Sequence, residues 1–412
     1  MSGTDLPKIT VTIADQTFDQ IIRVVIERDL ENIAGTFEVT LVDQARIRDA
    51  LLAQIGIDTP NGPVNPGDAI TIRIDGEPVL VGWVEVPQFE WGGDSITARI
   101  RGRDKTGDLV ECAALPGGPD EFLDVDLLHV AQQVCGPFGI TPRAEVDIGA
   151  PFDRLSKHRH MTALAFLESA ARQRSVLLVS DGVGGLLLTR GGATRAPAGL
   201  AIGENVQHVQ AAYDWTRRHS DYFVLQSTAR ARGGSPAISH DVDPETGDED
   251  PGDTPAERTA EEQPSIGSMG HATDPEVTRW RPTVRYTRSQ SGMSSVQEQA
   301  EWMARVAKGQ SDRVVFTVLG FRAGRDNALW RPNALAAVWE PYSGIDRDML
   351  IAGVSYNFDE HGAVTHLRMA GKTAYDRINE AERRRRRGRG RGRGRGGPVD
   401  RGFTDDDLRD PS

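Results

Sequence analysis

His158 and His160 stand two apart in Lys157-His158-Arg159-His160, a spacing that on a strand puts both imidazoles on one face, as two metal ligands would stand. No third ligand accompanies them, and Lys157 and Arg159 repel a cation. The segment therefore reads as a solvated polar stretch ahead of a helix. His361 and His366 are five apart, on opposite faces of a strand, and Glu360-His361-Gly362 reads as a hairpin turn. Gly182-Val183-Gly184-Gly185 has the glycine density of a phosphate loop, but it joins two short apolar runs, opens no helix and precedes no Gly-Lys-Ser/Thr. It too reads as a turn. Cys112 and Cys135 are too few for a four-thiolate site, and each lies beside apolar residues, so both are expected to be reduced core thiols. The sequence holds no Gly-x-Ser-x-Gly, His-Glu-x-x-His or Cys-x-x-Cys, and nothing places a carboxylate pair such as Asp359 and Glu360 in an apolar pocket. No catalytic, metal-binding or cofactor-binding residue is assigned, no cofactor is expected, and the chain does not read as an enzyme.

The elements around these residues are mostly strands. Phe37, Val39 and Leu41 alternate with polar residues, as do Ile70, Ile72 and Ile74, and Ile96, Ala98 and Ile100. Lys8 to Ile13, Ile21 to Glu27 and Val79 to Val86 add further strands, with turns at Asp75-Gly76 and Gly92-Gly93. Gln44 to Ile55 is the one expected helix before the Pro60-Asn61-Gly62-Pro63 loop. This pattern predicts a small antiparallel barrel over residues 1–112. A mixed pattern follows. Leu127, Leu128, Ala131, Val134 and Cys135 share a helical face ended by Gly136-Pro137, and a second helix spans Ala163 to Arg174. With the strands Val176 to Val179 and Leu186 to Thr189 it makes a small α+β unit over residues 113–200.

Strands return in residues 201–375, read as a second barrel: Tyr222 to Gln226, Thr283 to Tyr286, Val314 to Leu319, Ala336 to Trp339, Leu350 to Phe358 and Val364 to Met369, with a helix near Ser295 to Lys308. Residues 231–275 are rich in Pro, Gly, Asp and Glu and read as a loop insertion. No residue-level repeat links the two strand-rich regions. The fold class is thus β-rich α+β, two antiparallel barrels flanking an α+β unit, closed by a low-complexity tail over residues 376–412.

Length and charge set further bounds. The 412 residues exceed one domain, and 38% hydrophobic with 26% charged residues excludes a wholly disordered chain. No apolar run approaches the roughly 20 residues of a membrane span. Met1 to Lys8 carries neither a basic start nor an apolar stretch, so synthesis in a cytoplasm is expected. The net charge of −12 averages two opposite blocks. Arg383, Arg384, Arg385, Arg386, Arg387, Arg389, Arg391, Arg393 and Arg395 form a positive run, and removing it leaves −21 on the remainder. Asp241 to Glu276 holds twelve carboxylates against Arg258 alone. A body of that sign does not favour nonspecific duplex DNA.

Two stretches carry a family resemblance. Asp75-Gly76-Glu77-Pro78-Val79, Gly82-Trp83-Val84 and Gly102-Arg103-Asp104 through Glu111-Cys112 resemble the N-terminal barrel of the baseplate hub of Mu-like contractile-tailed phages, related to the late control D proteins. Arg279-Trp280-Arg281-Pro282, Ala300-Glu301-Trp302, Leu329-Trp330-Arg331-Pro332-Asn333, Glu340-Pro341-Tyr342, Leu350 to Val354 and Asp359-Glu360-His361-Gly362 follow that family's order and spacing. Met161 to Arg190 is similar to the same proteins. The resemblance spans about residues 8 to 375 and leaves the acidic insertion and the arginine-rich extension outside it.

The resemblance implies a structural protein of the virion tail without catalytic residues. It implies a homotrimer whose six barrels match the sixfold tail tube on one side and receive the membrane-piercing spike on the other, among other baseplate or tail-tip proteins. Trp83, Trp330 and Pro332 are expected to be structural, with the two tryptophan rings buried. The nine arginines are candidates for an interaction tail that pairs with carboxylates of a neighbouring subunit or contacts DNA. Alternative readings are another component of a contractile injection or secretion device, a cell-wall hydrolase, and a nucleic-acid-binding tail protein.

Clustered carboxylates among Pro and Gly repel one another and stay solvated. Deleting Asp241 to Glu262 is expected to move the melting temperature by less than about 2 °C in a calorimetric scan, and a larger fall would show that the segment packs on the body.

Overall fold

The computed structural model describes residues 6–42, 44–57, 64–92, 96–157, 160–227, 266–288 and 295–377. The Pro60 to Pro63 loop, His158, the acidic stretch through residue 265 and the Arg383 to Arg395 run lie outside the described residues.

In the first part of the chain, alternating apolar residues make β1 (Ile9–Ile13), β2 (Gln16–Phe18), β3 (Ile21–Asp29), β4 (Thr36–Leu41), β5 (Ala69–Ile74), β6 (Glu77–Trp91) and β7 (Ile96–Asp104), with helix α1 (Gln44–Gln54) between β4 and β5. Phe37, Val39 and Leu41 are buried on β4, and Ile70, Ile72 and Ile74 on β5. The period of two thus turns one face of each strand into core.

The middle of the chain forms α2 (Gly107–Glu111), β8 (Glu121–Val125), α3 (Leu127–Cys135), β9 (Thr141–Ala144), β10 (Phe152–Ser156), α4 (Ala163–Gln173), β11 (Leu177–Ser180) and β12 (Gly185–Thr189). Asp126 and Thr162 cap α3 and α4 by accepting from the backbone N–H of His129 and Ala165. The apolar faces of both helices bury Val130, Val134, Phe166 and Leu167 with Leu186 and Leu188 in a core of their own. Gly182 to Gly184 turns β11 into β12 with Gly182 and Gly184 at positive φ, a conformation open to glycine.

The last part forms β13 (Thr194–Arg195), β14 (Leu200–Ala201), β15 (Val206–Tyr213), β16 (Asp221–Ser227), β17 (Ile266–Thr273), β18 (Pro282–Arg288), α5 (Val296–Ser311), β19 (Asp312–Leu319), β20 (Arg322–Ala323), β21 (Ala328–Leu329), β22 (Ala334–Glu340), β23 (Ile345–Asp359) and β24 (Gly362–Gly371).

The two strand-rich regions lie on either side of the α+β unit in the sequence, yet they share one sheet. It runs β15-β19-β24-β23-β3-β4-β7-β6-β5-β1-β2, with β22 on β23 and with β13 and β14 on β22. Within it only β13 and β14 pair in parallel. Ile26, Val39, Ile72 and Ile100 from the first part and Phe316, Met349, Ile351 and Leu367 from the last belong to one buried cluster. Within each half the antiparallel order is the same: β3-β4-β7-β6-β5 in one and β15-β19-β24-β23-β22 in the other.

Several expectations change. Tyr222 to Gln226 and Thr283 to Tyr286 do not join the large sheet; β16 lies between β17 and β18 and pairs with both in a separate three-stranded sheet packed on α5. The last residues of the expected acidic loop are strand β17. Just beyond it Asp274 is buried at 5% exposure, because the Arg218 guanidinium donates to Asp274 Oδ2 at 2.9 and 2.6 Å and to Glu276 Oε2 at 2.7 Å. Those two carboxylates are therefore paired and do not share the solvated repulsion of the rest. Cys112 is exposed, so only Cys135 is a core thiol; burial pushes its pKa up to about 12.

Trp330 is 1% exposed, whereas Trp83 is half-buried on β6 with its Nε1 donating to Asp108 Oδ2 at 3.1 Å. The expected burial of both rings therefore holds for one. Trp330→Ala is expected to cost about 3 to 5 kcal/mol and Trp83→Ala about 1 to 2, read by urea unfolding; equal losses would contradict this packing.

Candidate assembly interface

The residues that join the halves of the large sheet are ordinary strand residues on β3 and β23. Asp29 lies opposite Gly353, Arg28 opposite Val354, Ile26 opposite Tyr356 and Val24 opposite Phe358. Leu30 N donates to Ala352 O at 2.9 Å and extends the ladder. Hydrogen-bonded strand edges satisfy backbone groups that would otherwise stay open to another chain. Val24, Ile26 and Arg28 are buried along this contact, as are Gly353, Val354 and Tyr356.

Polar side chains brace the seam. Arg368 donates to Asp29 Oδ2 at 2.6 Å, while Asp29 Oδ1 accepts from Glu31 N and Asn32 N at 2.7 and 2.5 Å. Arg322 reaches from the second half to the turn of the first, donating to Glu77 Oε2 at 2.8 Å and to the Ile74 carbonyl at 3.2 Å. Arg331 donates to Glu77 Oε1 at 2.9 Å. Trp330 and Tyr356 are buried beneath this cluster, with the Tyr356 hydroxyl donating to the Trp330 carbonyl. Burial pushes the Tyr356 phenol up to about 12, so it remains a donor at any physiological pH.

A second knot fixes the α+β unit to the first half. The Arg28 guanidinium donates to the Ser180 carbonyl at 2.8 Å, and Ser180 Oγ donates to Asp104 Oδ2 at 2.7 Å. Thr106 satisfies Asp104 Oδ1 through its N–H at 2.9 Å and its hydroxyl at 2.5 Å. Burial lowers the Arg28 pKa and raises that of Asp104, so each is held by charged and polar neighbours against a desolvation penalty. Val81 N donates to Gly182 O at 2.8 Å, so the Gly182 turn seats the unit on β6.

The assigned residues fall unevenly. Trp330 lies buried under the seam and Pro332 is buried two residues on, while Trp83 faces α2. The nine arginines lie outside the described residues. His361 sits in the β23–β24 turn, and His366 Nδ1 lies 2.9 Å from Thr317 Oγ1. Among the described residues no group of three His, Cys, Asp or Glu side chains is placed to hold a metal ion. Sequence reasoning missed β15, an edge strand whose residues Val206 to Tyr213 do not alternate, and the Arg218 clamp, whose members are 56 residues apart. The arrangement holds strands edge to edge and offers further strand edges; its capacity is for assembly.

Comparison with known proteins points the same way. Residues 8–104 match the N-terminal domain model of the Mu phage baseplate assembly protein GpP-like family, 106–190 the second domain of baseplate hub protein gp44-like proteins, and 292–377 the fourth domain of Mu phage baseplate assembly protein GpP. The chain is 27% identical over 368 residues to baseplate hub protein gp44 of Escherichia phage Mu, covering 87% of this chain and 86% of that one. The crystal structure of the 43 kDa tail protein of prophage MuSo2 from Shewanella oneidensis superposes with a TM-score of 0.70 at 26% identity, over 90% of this chain and 100% of that one. A tail protein from Neisseria meningitidis MC58 shares the fold with a TM-score of 0.66 at 18% identity, over 91% and 100% of the two chains. With three domain models matched in chain order and a relative matched over 87% of the chain, the chain belongs to the baseplate hub family of Mu-like phages, structural proteins of the phage tail baseplate.

Proposed function

We propose that three copies of this chain form the central hub of the baseplate and adapt a sixfold tail tube to a threefold membrane-piercing spike. The observation that carries this reading is the duplicated strand order, joined edge to edge at β3 and β23 within one chain. A chain with two quasi-equivalent halves offers a sixfold partner two similar docking units, and three such chains offer six. In this reading residues 1–112 and 201–375 supply the two barrel-like halves of each repeat, and residues 113–200, anchored through Arg28 and Gly182, lie to one side of that ring unit. The unrelated sequences of the two halves suit this role, since only the tube-facing geometry has to repeat while the spike-facing side keeps threefold symmetry. The arginine run of residues 383–395 serves in this reading as a contact for acidic neighbours in the same particle.

A symmetry-free reconstruction of the assembled tail tip tests the proposal. Three hub chains beneath a sixfold tube are expected; six copies, or one, would overturn it.

A further inference from the structure

The seam between the two halves has a second, unfilled counterpart, and strand register identifies it residue by residue. β6 and β23 are both fifteen residues long, and each ladder shifts register once, between Val84 and Val86 on β6 and between Ile351 and Gly353 on β23. Val86 faces Arg101 on β7 as Gly353 faces Arg368 on β24. Continuing across the sheet, Phe37 faces Gly102 on β7 as Val314 faces Met369 on β24, which equates β4 with β19. β3 and β15 then match, and their irregularities coincide, after Ile21 in one and after Val206 in the other. By this count Val209, Ala211 and Asp214 stand where Val24, Ile26 and Asp29 stand in the seam, and Val86 to Trp91 stand where Gly353 to Phe358 do.

Within one chain β3 is paired with β23. Among the described residues no strand pairs with the outer edge of β15 or with the matching edge of Val86 to Trp91. The burial difference follows: Val24 and Ile26 are buried where Val209 is half-buried and Ala211 exposed, and Val86 and Trp91 are 43% and 67% exposed. The charges repeat as well. Asp214 Oδ1 accepts from Thr216 N at 2.9 Å in a turn like that of Asp29, and Arg101, the counterpart of Arg368, is exposed beside Gln88 with its guanidinium donating to Gln88 Oε1 at 3.0 Å. One position departs from the match: Pro87 stands where Val354 does and has no N–H to give a ladder, so the pairing proposed below runs without a donor from that residue.

We infer that β15 of one copy pairs antiparallel with Val86 to Trp91 of a second copy, with Gln210 opposite Glu90 and Asp214 ion-paired to Arg101 of that second copy. The occupant is another copy of this chain because the contact repeats one the chain already makes with itself, which makes the interface head-to-tail and lets it close into a ring. The inference rests on the trimeric reading and gives it an interface. Trp91 would cover Val209 as Phe358 lies opposite Val24 in the seam.

The test uses the full chain with Cys112→Ser, carrying Gln210→Cys and Glu90→Cys, in assembled tail tips under mild oxidation. A disulfide-linked species of three chains on a non-reducing gel is expected, while Gln210→Cys with Gln88→Cys, displaced by two residues, links at least about tenfold less. Charge reversal supplies a second reading: Asp214→Arg and Arg101→Asp should each lower tip assembly about tenfold with the melting temperature of the chain unchanged, and the double variant should recover to within about threefold. Tips containing three hub chains that never link at this pair, or a double variant as defective as the single ones, would overturn the interface and leave the trimer standing. A copy number other than three would overturn both.

Discussion

The architecture depends on one antiparallel contact, the pairing of β3 with residues 353–358 of β23. The strands involved are separated by more than three hundred residues, so closing them costs loop entropy that only the finished sheet returns. Once they pair, the two halves share a core, and the turn at Asp75 to Glu77 is brought under Arg322 and Arg331. β23 is long enough to carry β22 on one stretch of an edge and β3 on the next, and the irregularity at Ala352 divides the two. A bulge of this kind bends a strand and raises its twist. Here it lets a single strand serve as the rim of one half and the join to the other.

The same contact explains why the two halves differ in sequence. β3 is paired with β23 and keeps Val24 and Ile26 in the core, whereas its counterpart β15 buries Val206, half-buries Val209 and leaves Gln210, Ala211 and Ala212 exposed. Structural equivalence fixes backbone register, and side chains answer to their own surroundings. The residues that brace the join, an aspartate in an Asx-type turn and an arginine two strands away, recur at both positions of the sheet, as does the valine at Val24 and Val209.

This bears on what the sequence could reveal. Period-two runs such as Phe37-Val39-Leu41 and the apolar faces of α3 and α4 are legible because one face of each meets a core. β17 is not legible, because its residues are dictated by a neighbour: a Cβ on Gly270 would come within 2.1 Å of the Val296 carbonyl oxygen of α5, so the strand carries glycine where the pattern asks for an apolar residue. It lies at the edge of an acidic, Pro- and Gly-rich stretch and shares that composition. The middle unit shows its helices and its Gly182 turn in sequence but not its attachment, since Arg28, Asp104 and Ser180 come together only in three dimensions. The candidate interface is hidden for the same reason: the resemblance points to a hub, while the edges through which copies would meet follow only from the pairing registers.

Amide hydrogen exchange on the isolated chain tests the seam most directly. If β3 and β23 hold the halves together as one body, the hydrogen-bonded amides among Val24 to Arg28 and Gly353 to Phe358 will exchange only on global unfolding, at least about a hundredfold more slowly than the outward amides of Val209 to Tyr213. Seam amides that exchange as fast as those of β15 would contradict the account, because the halves would then open from each other while each stayed folded.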